Sequence, residues 1–119
     1  MQANHFIQKH TLERAKNIVE NAPNWADVYL LPMDEYTFIA IHPTETDDFI
    51  SISELKLFIE SVDYLNEWYS GKIDDAYDHV ERMHGMLKLK PQFPNLYDRI
   101  QLVEGHIANY VSIFGDGHE

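Results

Sequence analysis

Hydrophobic residues recur at two different spacings along this chain, and the change of spacing predicts the order of its elements. Apolar side chains three or four positions apart, the repeat of a helix with one buried face, run through residues 11–22, 52–70, 73–89 and 95–114. Between the first two segments, "DVYLLP" and "YTFIAIH" are short β-prone runs separated by the turn-forming "MDE". The pattern therefore predicts an α+β fold: an N-terminal helix, a small antiparallel sheet of two or three strands, then three helices.

Residues suited to helix ends support these boundaries. Thr11 is expected to cap the first helix, and Ser51 with Glu54 fits a capping box that starts the central helix near residue 52. Gly71 suits the C-terminal cap of that helix. The preceding "FISI" is either a third strand or the lead into the helix.

The two ends of the chain and the last connection are less regular. The two prolines of "KPQFPN" end the third helix, and Asn95 is expected to cap the fourth. Residues 1–9 are expected to form a loose arm. At 119 residues, with no long linker and no internal repeat, the chain is predicted to be a single domain, residues 1–119.

The central helix is too apolar for a single buried face. One broad face holds six apolar residues: Leu55, Phe58, Ile59, Val62, Leu65 and Tyr69. Leu57, Tyr64 and Trp68, with Ser61 among them, form a second face. Such a helix is usually buried between two layers, but the second face is also typical of a dimer or partner interface. Both interpretations stay open at this stage.

Composition limits the possible compartments and chemistries. The chain has no cysteine, which excludes disulfides, a thiol nucleophile and cysteine-based metal sites. No run approaches the roughly 20 apolar residues that span a bilayer, and the first residues lack the apolar core of a signal peptide. A soluble cytoplasmic protein is expected.

Charge is concentrated in the middle of the chain. The whole sequence carries a net charge of −11, and residues 45–81 hold 11 acidic residues against Lys56 and Lys72. Such a segment repels nucleic acid and anionic membranes and attracts basic protein surfaces over a Debye length of about 10 Å. An acidic surface that only improves solubility is the simpler interpretation.

The acidic residues fall into three groups. One is the loop with Glu45, Asp47 and Asp48, and two are rows at helical spacing on the second and third of the four predicted helices. Their carboxylates lie at steps comparable to those between phosphates, so they could occupy a groove that normally binds nucleic acid. With two aromatic residues as apolar anchors, the candidate partner-binding residues are Glu60, Asp63, Tyr64, Glu67, Trp68, Asp74, Asp78 and Glu81.

Catalytic patterns are weak throughout the sequence. Asp75 and His79 have the i, i+4 spacing of two metal ligands, but no further ligands are evident, so no metal or cofactor is predicted. No Gly-rich phosphate loop or hydrolase motif is present. Asp34 and Glu35 are best explained as a solvated turn. His42, His84 and His106 are expected at the edges of the core, so we predict that the chain is not an enzyme.

The stretch "HTLERAKNIVENAPNWADVYL" gives the one resemblance to known proteins. Eight residues carry it: His10, Ala15, Ile18, Val19, Ala22, Pro23, Trp25 and Ala26. With the hairpin that follows, residues 10–42 resemble small accessory proteins of phages and prophages, which have no agreed activity. The acidic three-helix remainder departs from the shorter members. The resemblance implies a setting in which small non-enzymatic proteins, including anti-CRISPR and anti-restriction inhibitors, block host defences by binding.

Two functions are consistent with these patterns. The first is an acidic, DNA-mimicking inhibitor that occupies the basic surface of a host protein or ribonucleoprotein complex, without binding nucleic acid or membrane itself. The alternative is a homo-oligomeric structural or regulatory protein, such as a homodimer that pairs through Leu57, Tyr64 and Trp68.

Overall fold

The order of elements in the computed structural model, which describes residues 2–38, 49–90, 92 and 94–115, confirms the predicted helix-rich α+β class. Two helices precede a three-stranded antiparallel sheet, and three helices follow it. The elements are α1 (Ala3–His10), α2 (Leu12–Glu20), β1 (Val28–Leu30), β2 (Glu35–Thr37), β3 (Phe49–Ser51), α3 (Ile52–Tyr69), α4 (Ile73–Leu89) and α5 (Pro94–Phe114).

The N-terminal segment is a helix, so the prediction of a loose arm is wrong. Ala3, Phe6 and Ile7 are spaced as one helical face and are buried, Phe6 completely. The helix packs against α2 and β3. Eight residues are too few for a stable isolated helix, so the burial of this face stabilises α1.

Thr11 separates the two N-terminal helices. Its φ of 93° breaks the helical path, and its hydroxyl accepts a hydrogen bond from the Arg14 amide at 3.3 Å, as predicted for an N-cap. Helix α2 is therefore the helix that the sequence predicted as the first, and it begins at the predicted position. Helix α1 was not predicted.

The sheet has the order β2-β1-β3, with β1 in the centre and both neighbours antiparallel to it. Tyr29 of β1 lies opposite Tyr36 on one side and Ile50 on the other. All three residues of β1 are buried, as expected for a central strand. The predicted hairpin is confirmed, and "FISI" is both a strand and a helix start, since β3 ends at Ser51 and α3 begins at the next residue.

The predicted caps of α3 are confirmed, whereas the start of α5 differs by one residue. The Ser51 hydroxyl accepts the Glu54 amide at 3.3 Å. Gly71 has a φ of +73° and donates its amide to the Leu65 carbonyl, which closes the C-terminal end. Helix α5 begins at Pro94, whose fixed φ and missing N–H suit a first helical position, so Asn95 lies inside the helix rather than capping it.

Contacts along the chain define two compact units, Met1–Ile59 and Glu60–Glu119, and the prediction of a single domain stays a prediction. In the second unit, buried residues of the last three helices form one apolar cluster: Leu65, Ile73, Ala76, Met83, Ile100, Val103 and Ile107. This cluster fixes the positions of α4, of α5 and of the C-terminal part of α3. All the predicted partner-binding residues lie on α3 and α4.

Candidate functional site: the acidic helices of the second unit

The C-terminal half of α3 presents a row of carboxylates to solvent. Glu60, Asp63 and Glu67 are all exposed, while Val62 and Leu65 on the other side of the helix are buried. The apolar positions hold the helix against the cluster, and the acidic positions follow at the helical repeat on the open side. The predicted row on α3 is thus present at the surface.

Helix α4 carries the second row. Asp74, Asp78 and Glu81 are exposed, as is Asp75, and the buried positions of this helix are Ile73, Ala76 and Met83. The two acids of the first turn also stabilise the helix itself, because carboxylates interact favourably with the positive end of the helix dipole. Asp74 therefore has a structural reason to be acidic besides any contact with a partner.

An arginine reduces the charge of the α4 row. Asp75, Asp78, Glu81 and Arg82 line one open depression on this helix. Arg82 follows Asp78 by four residues, a spacing that brings opposite charges together on a helix surface. The central part of the row is consequently less negative than the count of its carboxylates indicates.

The two aromatic candidates have different surroundings. Trp68 is 56 % exposed, and the Arg99 guanidinium lies over its ring, 5.0 Å from the centroid. Tyr64 is half-buried, and its ring stacks on His106 with a centroid distance of 4.3 Å. Trp68 is the more accessible of the two predicted apolar anchors, because the Tyr64 ring is half-buried and stacked on His106.

Arg99 is a residue of this surface that the sequence patterns did not single out. It lies on α5, next to Ile100 of the buried cluster, and its charge acts on two aromatic residues of α3. Burial and the neighbouring Tyr64 raise the pKa of Tyr69, and the Arg99 charge opposes this rise. The Arg99 guanidinium therefore places a positive charge next to Trp68, within the otherwise acidic surface.

A buried polar cluster joins α3 to α5. The Ser61 hydroxyl lies 2.8 Å from His106 Nδ1, and the Asn109 side-chain amide donates to the same hydroxyl at 2.9 Å. Ser61 is fully buried and His106 nearly so. Burial lowers the pKa of His106, although the nearby Glu60 carboxylate acts in the opposite direction. Burial of His106 therefore favours the neutral imidazole over the charged one.

This Ser–His contact does not form a nucleophilic pair. A serine nucleophile must reach its substrate, and the Ser61 side chain has no solvent exposure. The hydroxyl also accepts the Asn109 amide, so both serine contacts satisfy buried polar groups. The prediction of a core-edge histidine holds for His106. The sequence signals for the cluster were Ser61 on an apolar face and Asn109 one helical turn after His106.

The remaining titratable candidates have structural contacts. His79 Nδ1 lies 2.7 Å from the Tyr69 hydroxyl, so one of its two ring nitrogens has a partner within the protein. Among the residues that the structure describes, no three potential ligands come together to hold a metal ion. His84 is exposed and lies 3.1 Å from Glu104.

Asp34, in the first unit, lies exposed in a turn, as the sequence indicated, and it also has structural partners. Its carboxylate accepts a hydrogen bond from the Tyr29 hydroxyl, and Arg14 lies 3.5 Å away. Burial of Tyr29 and its contact with Asp34 raise the tyrosine pKa. Asp34, with a φ of 51°, thus ties the hairpin turn to the central strand. The acidic loop with Glu45, Asp47 and Asp48 lies outside the described residues, as does His42.

Comparisons with known proteins add no family. No protein-family model, curated protein or solved structure matches this chain. Within the described residues, none of the helices is both long and apolar enough to cross a membrane.

Proposed function

We propose that this chain is a non-enzymatic acidic binding protein of the phage anti-defence type, acting in the bacterial cytoplasm. It would inhibit a host nucleic-acid-binding complex by occupying the basic surface that normally holds nucleic acid. One observation carries the proposal: all six carboxylates of the α3 and α4 rows are exposed on helices whose other faces are held by the buried cluster.

Rigid helices favour this kind of binding. Carboxylates three or four residues apart on a helix lie about 5–6 Å apart at Cβ, so their spacing is set before a partner arrives. Charges at the edge of an interface mainly set the association rate and the salt dependence, whereas a desolvated aromatic residue supplies much of the affinity. In this proposal Trp68 is that aromatic residue, and the two acidic rows steer the basic partner.

The alternative proposal is self-association through α3. Leu57 and Trp68, two of the three residues of the second apolar face, are 48 % and 56 % exposed. Exposed large apolar residues are typical of interfaces where they form a contiguous patch. Tyr64, the third residue, would contribute little, since its ring is stacked on His106.

The test of the proposed function is capture followed by competition. The tagged protein is used to capture partners from bacterial lysate, elution with rising salt releases them, and mass spectrometry identifies them. The expected result is a nucleic-acid-binding protein or complex released at moderate salt, whose binding to duplex DNA or guide RNA the chain then inhibits. Capture of only a second copy, or of partners whose nucleic-acid binding is unaffected, would reject the inhibitor.

A charge-reversal variant locates the surface. We expect Asp74→Lys, Asp78→Lys and Glu81→Lys together to weaken binding to that partner by roughly tenfold or more at about 0.1 M salt, because attraction becomes repulsion. The matched control reverses Glu13, Glu20 and Glu35, three exposed acids of the first unit, and changes the net charge equally.

The two variants together separate local from overall charge. Each contains one reversal in the first turn of a helix, Asp74 in α4 and Glu13 in α2, so their costs in stability are comparable. Thermal melts verify that both are folded. Equal weakening by the two variants would show that net charge, rather than the α4 row, determines binding.

A further inference from the structure

Helices α4 and α5 leave an open groove along their line of contact, with a volume of about 340 Å³. Its apolar lining comes from Tyr77 and Val80 on one helix and from Ile107, Ala108 and Val111 on the other. Ile107 belongs to the buried cluster, so the floor of the groove is part of the core. The groove is therefore a preformed apolar surface.

Tyr77 differs from the residues with which the sequence pattern grouped it. The helical repeat predicts Ile73, Tyr77 and Val80 on one buried face, yet Tyr77 is 41 % exposed while Ile73 is buried. Its side chain forms part of the groove wall instead of joining the cluster. A large aromatic side chain at the edge of an apolar groove is the type of residue that contributes strongly to binding.

The border of the groove is charged, and on α4 it is acidic. His84 and Glu104 face each other across it at 3.1 Å, one from each helix, and both side chains are about half exposed. Glu81 lies four residues after Tyr77 and three before His84, so it projects beside the groove wall. Asp74 lies three residues before Tyr77 on the same side. The α4 row and the groove thus form one continuous surface.

We propose that this surface binds an amphipathic helix of the partner, with apolar side chains in the groove and Lys or Arg side chains against the α4 carboxylates. The inference rests on the proposed function and specifies the chemistry of its partner. The charge favours such a helix over a second copy of this chain, because two chains of net charge −11 repel each other.

The experiment uses a defined probe rather than an unknown partner. A fluorescently labelled peptide of about 14 Leu and Lys residues, with Leu at helical spacing, represents the basic amphipathic helix. A scrambled peptide of the same composition has the same charge but no apolar face. Fluorescence anisotropy measures the affinity of both peptides for the full chain. We expect the amphipathic peptide to bind roughly tenfold more tightly than the scrambled one.

Groove variants test where the peptide binds. Tyr77→Ala removes the exposed wall, and Ala108→Gln places a neutral, longer side chain at an exposed position of the lining. Each substitution is expected to lower the affinity for the amphipathic peptide roughly tenfold. Met86→Ala is the matched control, since Met86 is an exposed apolar residue of α4 outside the groove, and its effect should stay within about twofold. Circular dichroism verifies that each variant is folded.

Several outcomes would overturn the groove proposal. Equal affinity of the chain for the two peptides would do so, as would no binding of either. Equal affinity of the Tyr77→Ala, Ala108→Gln and Met86→Ala variants for the amphipathic peptide would also do so. If the α4 charge reversal abolishes binding while the groove variants have no effect, the acidic surface of the proposed function stands and the groove is not involved. If the groove variants weaken binding as expected but lysate capture yields no nucleic-acid-binding partner, the proposed function fails and the groove site remains.

Discussion

Helix α3 meets α5 in two regions of the second unit that differ in kind. Around Ser61 and Tyr64 the contact is buried and polar, with His106 between the serine hydroxyl and the tyrosine ring. Around Trp68 the contact is open, and Arg99 covers one side of an indole that stays 56 % exposed. The two regions belong to the same predicted helix face.

The size of the side chain at the point of contact accounts for the difference. Ser61 is short, so an imidazole ring fits beside it and stacks on Tyr64, and hydrogen bonds compensate for burial of the polar atoms. At Trp68 the side chain is a large indole that stays mostly exposed, and the Arg99 guanidinium lies over its ring. The second apolar face of α3 is therefore divided into a buried part around Ser61 and an accessible part around Trp68.

The largest expected effect is on the buried part. His106→Ala removes the stacked ring and leaves the Ser61 hydroxyl with one contact fewer, so it should lower the free energy of unfolding by about 2–4 kcal/mol. Urea denaturation followed by circular dichroism measures this. Tyr64→Phe is the control, because it keeps the ring over His106 and removes only a hydroxyl. A loss below about 1 kcal/mol for His106→Ala would mean that the cluster does not stabilise the second unit.

A smaller effect is expected from pH. The pKa of His106 lies below its ordinary value of 6.5 in the folded protein, chiefly because of burial and despite the opposing Glu60 charge. The unfolded chain therefore binds a proton more readily. The contribution of His106 to stability is complete above pH 6.5 and declines as the pH falls from there through the folded pKa. Urea denaturation at about pH 8 and about pH 5.5 should show this decline.

His106→Gln isolates the contribution of this residue. The pKa of His10 is also lowered, by burial and by Arg14 and Lys9, so it adds to the same trend in the wild type. The variant keeps His10 and removes only the titration of His106. We expect a smaller loss of stability on acidification in His106→Gln than in the wild type, and identical losses would show that His106 does not titrate differently on folding.

The local features of the acidic surface could be predicted from the sequence. Charged side chains are almost always exposed, so helical spacing was sufficient to place Glu60, Asp63 and Glu67 in one row. The caps at Thr11, Ser51 and Gly71 were also local patterns, and they are confirmed. These features depend on residues a few positions apart.

Features that depend on distant residues could not be predicted. His106 is 45 residues from Ser61, and Arg99 is far along the chain from Trp68, so no local pattern pairs them. Helix α1 was missed for a related reason. Its eight residues are too few to form a stable helix alone, and its stability comes from burying Phe6 in the first unit. The groove likewise required the packing of α4 on α5, which gave Tyr77 a different position from that of Ile73.

The smallest change in stability is expected at the accessible end of the same face. Trp68→Ala removes an exposed indole and its contact with Arg99, which should cost about 1 kcal/mol or less. Its effect on assembly is more informative. If the chain self-associates through α3, light scattering on a sizing column should show a concentration-dependent dimer that the variant converts to monomer. A monomeric wild type would remove the self-association alternative and leave Trp68 available to the basic partner, whose affinity the variant should then reduce.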